Sequence, residues 1–552
     1  MQIRNVSLVK SDAILAVLVA LLIVQQELSP SALSEVYMFC VWFMAAVYII
    51  SRIVLTIAPR VAYYVLLAAV AFFCLKESYT GLLQLFGYLH SNHYLFACTG
   101  SFNNPGPYGG FLAVCLCVLG SYSIKGKNKV FRYITGISAM PAIILLPSTM
   151  SRAAMLAVVC AALLLVASTN AGKTILKKYH IWLILALIIA GAGAYMLKKS
   201  SADGRFFINR ISIMAIKSNP MSGFGLGRFG GAYGEAQARF FGERMGLGGD
   251  DTDWTVLRDS ERLTADCPQY AFNEYLQLGV EGGLITMLLF IIMIIIAILS
   301  SYKRGDIWCY GLLALAVFAM FSFPLHIVQF QVLLAVLLAA CATPRIEGIL
   351  GGSVVMAVAL LISLLNLISC LPLMNRLSEA SEKWTETEYW YKNEYYDYVI
   401  EDADSLYHFM RYDYMFLFAY GQSLSKEGEY LKSNEILSEG SLISSDPMFW
   451  VVMGNNNLSL ERYEEAERYY KHAFHMVPNR LYPLCRLAEL YIKMGDYGRF
   501  HDMKQKIDSF KSKVESPTTE MLRKRISELS DSIKSDTTKL MDESGSGLIE
   551  VE

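Results

Sequence analysis

Arginines stand at the ends of apolar stretches in this sequence, where they can act on a charged substrate. Arg152 lies in "PSTMSRAA", Arg205 and Arg210 lie in "SADGRFFINR", and Arg228 lies in "NPMSGFGLGRFGG". A guanidinium group donates two parallel hydrogen bonds to phosphate oxygens, so arginine suits a diphosphate better than lysine does. Arg205 and Arg210 are therefore candidates for binding a diphosphate, and Arg228 could reach a phosphate. Arg152 is a functional candidate because it is a charged group at a membrane edge. The alternatives are a membrane-edge charge for Arg152 and a solvated loop charge for Arg210.

Proton transfer needs a second kind of residue, and the stretch "YAFNEYLQLGVEGGL" provides it. Asn273 and Glu274 stand where a polar segment enters an apolar run, and both are catalytic candidates. Partial burial there would raise the pKa of Glu274 and make it a general base. His326, in "FSFPLHIVQ", is the second candidate base, although a lone histidine is more often structural.

A third polar stretch, "SFNNPGPYGG", contains Asn103, Asn104 and Pro105 just before another apolar run. The backbone N–H groups of a helix start can hold an anion, so these three residues are predicted to position substrate. They could equally form only a turn and a helix start with proline at an early helical position.

The elements that must position these residues are membrane spans. The 552 residues are 54% hydrophobic, and their mean hydropathy is +0.38. Bilayer-length apolar blocks predict an all-α, polytopic bundle of about eleven spans, the first retained rather than cleaved. We expect them near 11–26, 36–51, 61–75, 106–124, 133–147, 152–168, 181–197, 275–300, 307–322, 327–342 and 349–372. A net charge of −1 leaves no basic field for nucleic acid.

The distribution of basic residues predicts the orientation of these spans. The short connections of one side contain only Lys76 and Arg152, whereas those of the other side are rich in lysine and arginine. The positive-inside rule then puts the N-terminus in the cytoplasm. An odd number of spans puts the C-terminal region and the long 198–273 loop outside. All four polar motifs fall on this outer face, which favours one shared site.

No cofactor or metal is predicted from the remaining motifs. Asp250, Asp251 and Asp253 in "GGDDTDW" could gather a hard cation, but the EF-hand glycine and distal glutamate are missing, so a solvated acidic turn is favoured. The glycine-rich segment from Asn219 to Ala236 lacks the GK[ST] ending of a phosphate-binding loop. We expect a flexible loop that shapes the substrate site.

The composition changes near residue 373 to Glu, Lys, Tyr and Ser. We predict a membrane domain at 1–372, a periplasmic tetratricopeptide-like domain at 373–530 and a disordered tail at 531–552. The best repeat is "WVVMGNNNLSLERYEEAERYYKHAFHMVP". Arrays of this kind stack helix pairs and often bind a protein partner or stabilise an assembly.

Together these motifs resemble the O-antigen ligase and O-antigen polymerase family of polytopic bacterial glycosyltransferases, over most of residues 95–345. The resemblance rests on "GSFNNPGPYGGFLA", "STMSRAAMLA", "SNPMSGFGLGRF" and "AFNEYLQLGVEGGL". It implies transfer of a glycan from undecaprenyl diphosphate to an acceptor hydroxyl, at the outer face of the bacterial inner membrane. The acceptor would be a lipid A core sugar, another repeat unit or a protein side chain.

The resemblance also implies site residues. Family arginines hold the diphosphate without a metal, and the matching positions here are Arg152 and Arg205, with Arg210 and Arg228 as further candidates. Many relatives have a histidine directly before the asparagine of the last motif, where this chain has Phe272. Glu274, then His326, would replace that histidine.

Ligase, polymerase and protein O-oligosaccharyltransferase remain alternatives, because they use the same donor. A transporter of lipid-linked glycans and a non-catalytic envelope scaffold are the competing classes. A transporter should have internal repeats and broken helices.

Overall fold

The computed structural model describes residues 8–29, 32–197, 199–246, 251–342 and 352–545, and every regular element in these ranges is helical. The predicted all-α class is confirmed. In chain order the helices are α1 (Lys10–Leu28), α2 (Ala32–Ile57), α3 (Pro59–Leu85), α4 (Pro105–Lys125), α5 (Lys129–Ser148), α6 (Arg152–Ala167), α7 (Asn170–Leu197), α8 (Lys199–Ser218), α9 (Phe229–Gly246), α10 (Asp259–Arg262), α11 (Glu274–Arg304), α12 (Trp308–Ala319), α13 (Val328–Ala342), α14 (Gly352–Lys392), α15 (Tyr396–Met410), α16 (Tyr414–Lys426), α17 (Tyr430–Ser441), α18 (Met448–Ser459), α19 (Tyr463–Met476), α20 (Tyr482–Lys493), α21 (Tyr497–Ser509) and α22 (Pro517–Gly545).

The chain divides into two compact units. The first unit contains Met1–Arg205, Ile216–Gly227 and Tyr270–Asn375, and the second contains Phe206–Ala215, Arg228–Gln269 and Arg376–Glu552. Most of the 198–273 loop therefore clusters with the C-terminal region, whereas we expected it to be part of the membrane domain. The reason is burial: one whole face of α9 packs against α19.

The apolar helices of the first unit make this a multi-pass membrane protein. Within the described residues, seven helices are long and apolar enough to cross a bilayer. The count reaches eight if α6 and the start of α7, bent by 114° at a short break, form one span. Each of the eleven predicted spans coincides with a helix. However, α12 and α13 have 12 and 15 residues, short of the roughly 20 that a span needs. The number of eleven crossings therefore stays a prediction. The placement of the C-terminal region on the outer face, which depends on that number, stays a prediction too.

One helix of the first unit is interrupted. The backbone of α11 is non-helical at Gly283, where φ is +82°. Segment 219–225 satisfies the backbone around this break: the amide N–H groups of Phe224 and Gly225 donate to the carbonyls of Val280 and Glu281 (2.9 and 3.0 Å). The amide N–H of Leu284 in turn donates to the carbonyl of Pro220 (2.8 Å).

Glycine is required on both sides of that contact. A Cβ on Gly223 would lie 2.4 Å from the carbonyl oxygen of Glu281, and one on Gly283 would lie 2.4 Å from that of Met221. The expectation of a flexible loop between Asn219 and Ala236 is wrong, because its first part is bonded to α11 and its second part is helix α9.

The second unit is an array of short helices in which consecutive members pack on each other from α15 to α21. The small residues of the strongest predicted repeat lie between neighbouring helices: a Cβ on Gly454 would lie 2.5 Å from the ring of Tyr470. Ala466 and Ala473 are also fully buried. The array is compatible with tetratricopeptide repeats, and that identification stays a prediction.

The array holds segment 228–269 through buried polar contacts. Asn479 donates to the carbonyls of Arg262 (2.9 Å) and Ala265 (2.8 Å). The side chain of Arg262 is fully buried, with its guanidinium 4.6 Å from the Trp254 ring and 5.2 Å from the Phe510 ring. Burial lowers the pKa of Arg262, and the bond to Asp259 opposes this shift.

Helix α22 extends to Gly545, into the first part of the segment that we predicted as a disordered tail. Residues 517–544 contain no proline or glycine after Pro517, and lysine, glutamate, leucine and methionine among them are good helix formers. The rest of the predicted tail, residues 546–552, lies outside the described residues.

We expect Asn479→Ala to destabilise the second unit by about 1–3 kcal/mol, because two buried carbonyls lose their donor. Limited proteolysis should then cleave segment 228–269 faster than in the parent protein. Asn393→Ala is the matched control, since Asn393 is exposed and bonds only the preceding turn of its helix. Equal cleavage rates in the two variants would show that Asn479 does not hold the segment.

Candidate active site

The start of α4 meets the turn between α5 and α6. A Cβ on Gly109 would lie 2.6 Å from Oγ1 of Thr149 and 3.0 Å from Cβ of Ser151, so only glycine permits this approach. Ser151 caps α6 by accepting from the amide of Ala154 (3.4 Å), and Met150 takes the left-handed conformation that such a tight turn needs (φ +50°). Two helix N-termini, each with a partial positive charge, are therefore neighbours in the first unit.

Arg152 and Arg205 form the cationic part of the candidate site. Arg152 is the first residue of α6, and Arg205 lies in α8. Burial lowers the pKa of Arg205, and the positive charge of Arg152 lowers it further. Because two guanidinium groups that repel each other are stabilised by an anion between them, this arrangement suits a diphosphate.

Two contacts orient Arg205. Its Nη1 donates to the carbonyl of Phe321 (2.8 Å), and its guanidinium carbon lies 5.4 Å from the centre of the Phe272 ring. Phe272 stands at the position where the resemblance led us to expect a histidine. Its backbone is left-handed (φ +51°), a conformation that is uncommon and costly for a bulky residue. In this chain, the ring at that position supports an arginine instead of accepting a proton.

Three predicted catalytic residues lie close together but make different contacts: Asn273, Glu274 and His326. The side chain of Asn273 caps α11 by accepting from the amides of Tyr275 (3.1 Å) and Leu276 (3.2 Å). Oε1 of Glu274 accepts from the amide of Leu325 (2.6 Å) and lies 3.6 Å from Nδ1 of His326. Asn273 therefore acts as a helix cap, whereas Glu274 and His326 form a buried acid–imidazole pair.

The imidazole of His326 is enclosed by rings and carboxylates. The Tyr270 ring lies 4.5 Å and the Tyr37 ring 5.7 Å from it, between centroids. Burial alone would lower the pKa of His326, but the carboxylates of Glu274 and Glu281 outweigh burial, so the net shift is upward. Burial also raises the pKa of Tyr270, as do the same two carboxylates. A proton taken up by His326 is thus stabilised.

The other predicted site residues are placed as follows. Asn104 caps α4 by accepting from the amide of Gly106 (2.9 Å), Pro105 is the first helical residue, and Asn103 is exposed beside them.

Arg210 and Arg228 belong to the second unit. Arg210 pairs with Glu261 (2.6 Å), a carboxylate that it shares with Arg244. Burial lowers the pKa of Arg228, while Glu439 opposes that shift.

Glu281 is the residue that sequence reasoning missed. It is 3% exposed and acts electrostatically on His326. Its signal was present in the sequence: Glu281 follows Glu274 by seven residues, two helical turns, within an apolar helix. A carboxylate inside an apolar helix is a functional candidate by default.

The acidic motif near residue 250 has contacts within the second unit. Asp251 pairs with Lys471 (3.2 Å), and Asp253 caps a short 3-10 helix by accepting from the amide of Thr255 (2.9 Å). Asp250 lies outside the described residues. Among the described residues, no group of three His, Cys, Asp or Glu could hold a metal ion.

We expect Arg205→Ala to reduce glycan transfer by roughly 100-fold or more, because a preorganised donor to the developing anion is lost. Arg205→Lys should recover only part of the activity, since an ammonium group does not form the fork of two parallel hydrogen bonds. Arg132→Ala, which removes an exposed arginine at the other end of α5, is the control. The measurement is transfer by membranes with matched protein levels. Activity equal to that of the control would remove Arg205 from the site.

Two comparisons with known proteins were informative about the family. No curated protein matches the chain significantly. Residues 137–291 match the family model described as O-antigen ligase. The matched range includes the α5–α6 turn with Arg152, Arg205 and the α11 carboxylates, and it ends before His326. The match confirms the resemblance of this multi-pass membrane protein to the O-antigen ligase family over residues 137–291.

Proposed function

We propose that this protein transfers a glycan from a lipid diphosphate, of the undecaprenyl type, to an acceptor hydroxyl at the outer face of the bacterial inner membrane. Arg152 and Arg205 hold the diphosphate, and His326 accepts the proton of the acceptor. Glu274 orients the imidazole of His326. No metal or other cofactor takes part in this scheme.

One observation carries the proposal: the cation and the base meet at the same turn. The carbonyl of Phe321 accepts from Arg205, the amide of Leu325 donates to Glu274, and His326 ends this turn between α12 and α13. A diphosphate held by the arginines would thus lie near the base that activates the acceptor. This proximity is what a direct displacement requires.

The chemistry balances within this set of residues. The acceptor oxygen attacks the anomeric carbon of the glycan, and the bond from that carbon to the diphosphate oxygen breaks. The acceptor proton passes to His326, while the two arginines stabilise the charge on the departing lipid diphosphate.

His326 replaces Glu274 as the first candidate for the base, because of their hydrogen bonds. Oε1 of Glu274 already accepts from the Leu325 amide. Both imidazole nitrogens of His326 are buried and have no hydrogen-bond partner among the described residues, and Nδ1 is the one that lies 3.6 Å from Oε1 of Glu274. A carboxylate that faces one imidazole nitrogen and leaves the other for substrate is the arrangement of many general bases.

Three acceptor classes remain within the proposal: a lipid A core sugar (ligase), another glycan repeat (polymerase) and a protein hydroxyl. Deletion of the gene followed by gel analysis of envelope glycans separates the first two. Products with a single repeat would indicate a lost polymerase, and long polymer left on the carrier lipid would indicate a lost ligase. Loss of glycan from proteins alone would indicate the third.

Transport of the lipid-linked glycan is the second candidate, and the break in α11 favours it, because discontinuous helices are typical of transporters. Against it, the backbone at this break is bonded by the protein's own segment 219–225. Transfer of glycan to an acceptor by the protein purified in detergent, where no membrane is crossed, would exclude simple transport.

We expect transfer by the parent protein to fall as the pH drops through the raised pKa of His326, because the base must be neutral to accept a proton. Glu274→Gln removes the nearest carboxylate, so the pKa of His326 should fall. The acidic limb of kcat/KM should then move to lower pH, with a reduced plateau. The measurement is the pH profile of transfer from a lipid-linked donor.

Two further variants make this result decisive. His326→Ala should abolish transfer at every pH, while His93→Ala, which removes an exposed histidine between α3 and α4, should leave the profile unchanged. Complete loss of activity in Glu274→Gln at every pH, with substantial activity in His326→Ala, would return the role of base to Glu274.

A further inference from the structure

Three aromatic rings contact one another in the candidate site, and we call Tyr270, Phe272 and Phe323 the aromatic cluster. The Phe323 ring stacks on the Tyr270 ring, with 4.9 Å between centroids and 11° between planes. The Phe272 ring meets the Phe323 ring edge-on at 5.4 Å. All three side chains are partly exposed, so the aromatic cluster is open on at least one side instead of being closed within the core.

The aromatic cluster extends from the cation of the site to its base. At one end, the guanidinium carbon of Arg205 lies 5.4 Å from the centre of the Phe272 ring. At the other end, the His326 ring lies 4.5 Å from the Tyr270 ring and 6.4 Å from the Phe323 ring, between centroids. The three rings therefore occupy the interval between the group that holds the diphosphate and the group that takes the proton.

The backbone of the aromatic cluster is strained, and a buried side chain holds it in place. Phe272 has a left-handed backbone (φ +51°). The amide of the preceding residue, Ala271, donates to Oε1 of Gln277 (2.8 Å), which is itself buried. A costly conformation that the surroundings enforce is typical of a functional site.

The reaction determines what the open side of the aromatic cluster has to face. In a direct displacement, the anomeric carbon lies between the departing diphosphate oxygen and the attacking acceptor oxygen. Since Arg205 holds the first and His326 takes the proton of the second, the sugar with that carbon lies along the rings. As in glycoside hydrolysis, positive charge develops on the anomeric carbon while its bond to the leaving group breaks. The negative face of an aromatic ring attracts such a charge.

We propose that the aromatic cluster is the subsite for the transferred sugar, whose ring packs on it and whose developing positive charge its ring faces stabilise. The ligand is a pyranose that is bonded through its anomeric carbon to the lipid diphosphate. This inference rests on the proposed function. The rings make and break no bond, and they act on the sugar while the arginines and His326 act on its two oxygens.

Phe323 is the member of the aromatic cluster to vary, because Phe272 contacts Arg205 and Tyr270 contacts His326. Phenylalanines with one, two and three ring fluorines, introduced at position 323 of the full-length protein, keep the shape of the ring and weaken its negative face. For transfer from a lipid-diphosphate-linked glycan in detergent, kcat should fall with each fluorine, by about tenfold in total. KM should change little, because the charge is present only in the transition state. Equal kcat across the series would overturn the proposal.

The same fluorinated residues at position 131 are the matched control. Phe131 is also partly exposed and lies 4.5 Å from a tyrosine ring, that of Tyr64, but it stands near the start of α5, away from the α5–α6 turn. Its series should leave kcat unchanged. Phe323→Leu should lower kcat about as much as three fluorines, whereas Phe323→Tyr should retain most of it. If the leucine variant does not fold, the fluorine series still decides, since it keeps the ring.

Donors with a short and a full-length polyprenyl chain distinguish contact with sugar from contact with lipid. The fluorine effect should be the same for both donors, and an effect seen only with the long chain would overturn the proposal. Arg205→Ala and His326→Ala separate this inference from the proposed function. Full activity in both variants would reject the site itself, whereas their inactivity beside an unchanged fluorine series would reject only the sugar subsite.

Discussion

The break in α11 at Gly283 is the constraint on which the candidate site depends. Within a bilayer, a helix cannot leave backbone carbonyls and amides without partners, so an interruption has to be bonded by another part of the protein. Here segment 219–225 supplies those bonds, and its glycines permit the approach. The same contact fixes Glu281 and, two turns earlier, Glu274. A local backbone requirement therefore determines where the acids of the site lie.

The charges of the first unit follow from their surroundings. The charge of Arg152 repels Arg205, whose own charge burial already disfavours, and this suits the pair to an anionic substrate. Glu274, Glu281 and His326 offset one another in the same unit. An enzyme that separates a diphosphate from a sugar needs both properties, since negative charge develops on the leaving group while a proton leaves the acceptor.

Much of this could be predicted from residue types. A helix start was one of the two interpretations of Asn103, Asn104 and Pro105, and Asn104 does cap a helix. Asn273 was expected to take part in proton chemistry, and its side chain is also a helix cap. The isolated arginines Arg152 and Arg205 were candidates because a charge at the end of an apolar block is unusual. The pairing of Glu274 with His326 could not be predicted, because 52 residues separate them and only the packing of α11 against α12 and α13 brings them together.

The sequence by itself determined the class of this protein: long apolar blocks require membrane helices, and four polar motifs indicated the ligase family. Both conclusions depend on composition and short-range pattern, which do not change with the three-dimensional arrangement of the chain. Only the tertiary structure decided that the glycine-rich segment bonds a broken helix, that Phe272 supports Arg205, and that α9 packs into the C-terminal array. Each of these depends on contacts between distant residues, and such contacts leave no periodic signal in a single sequence.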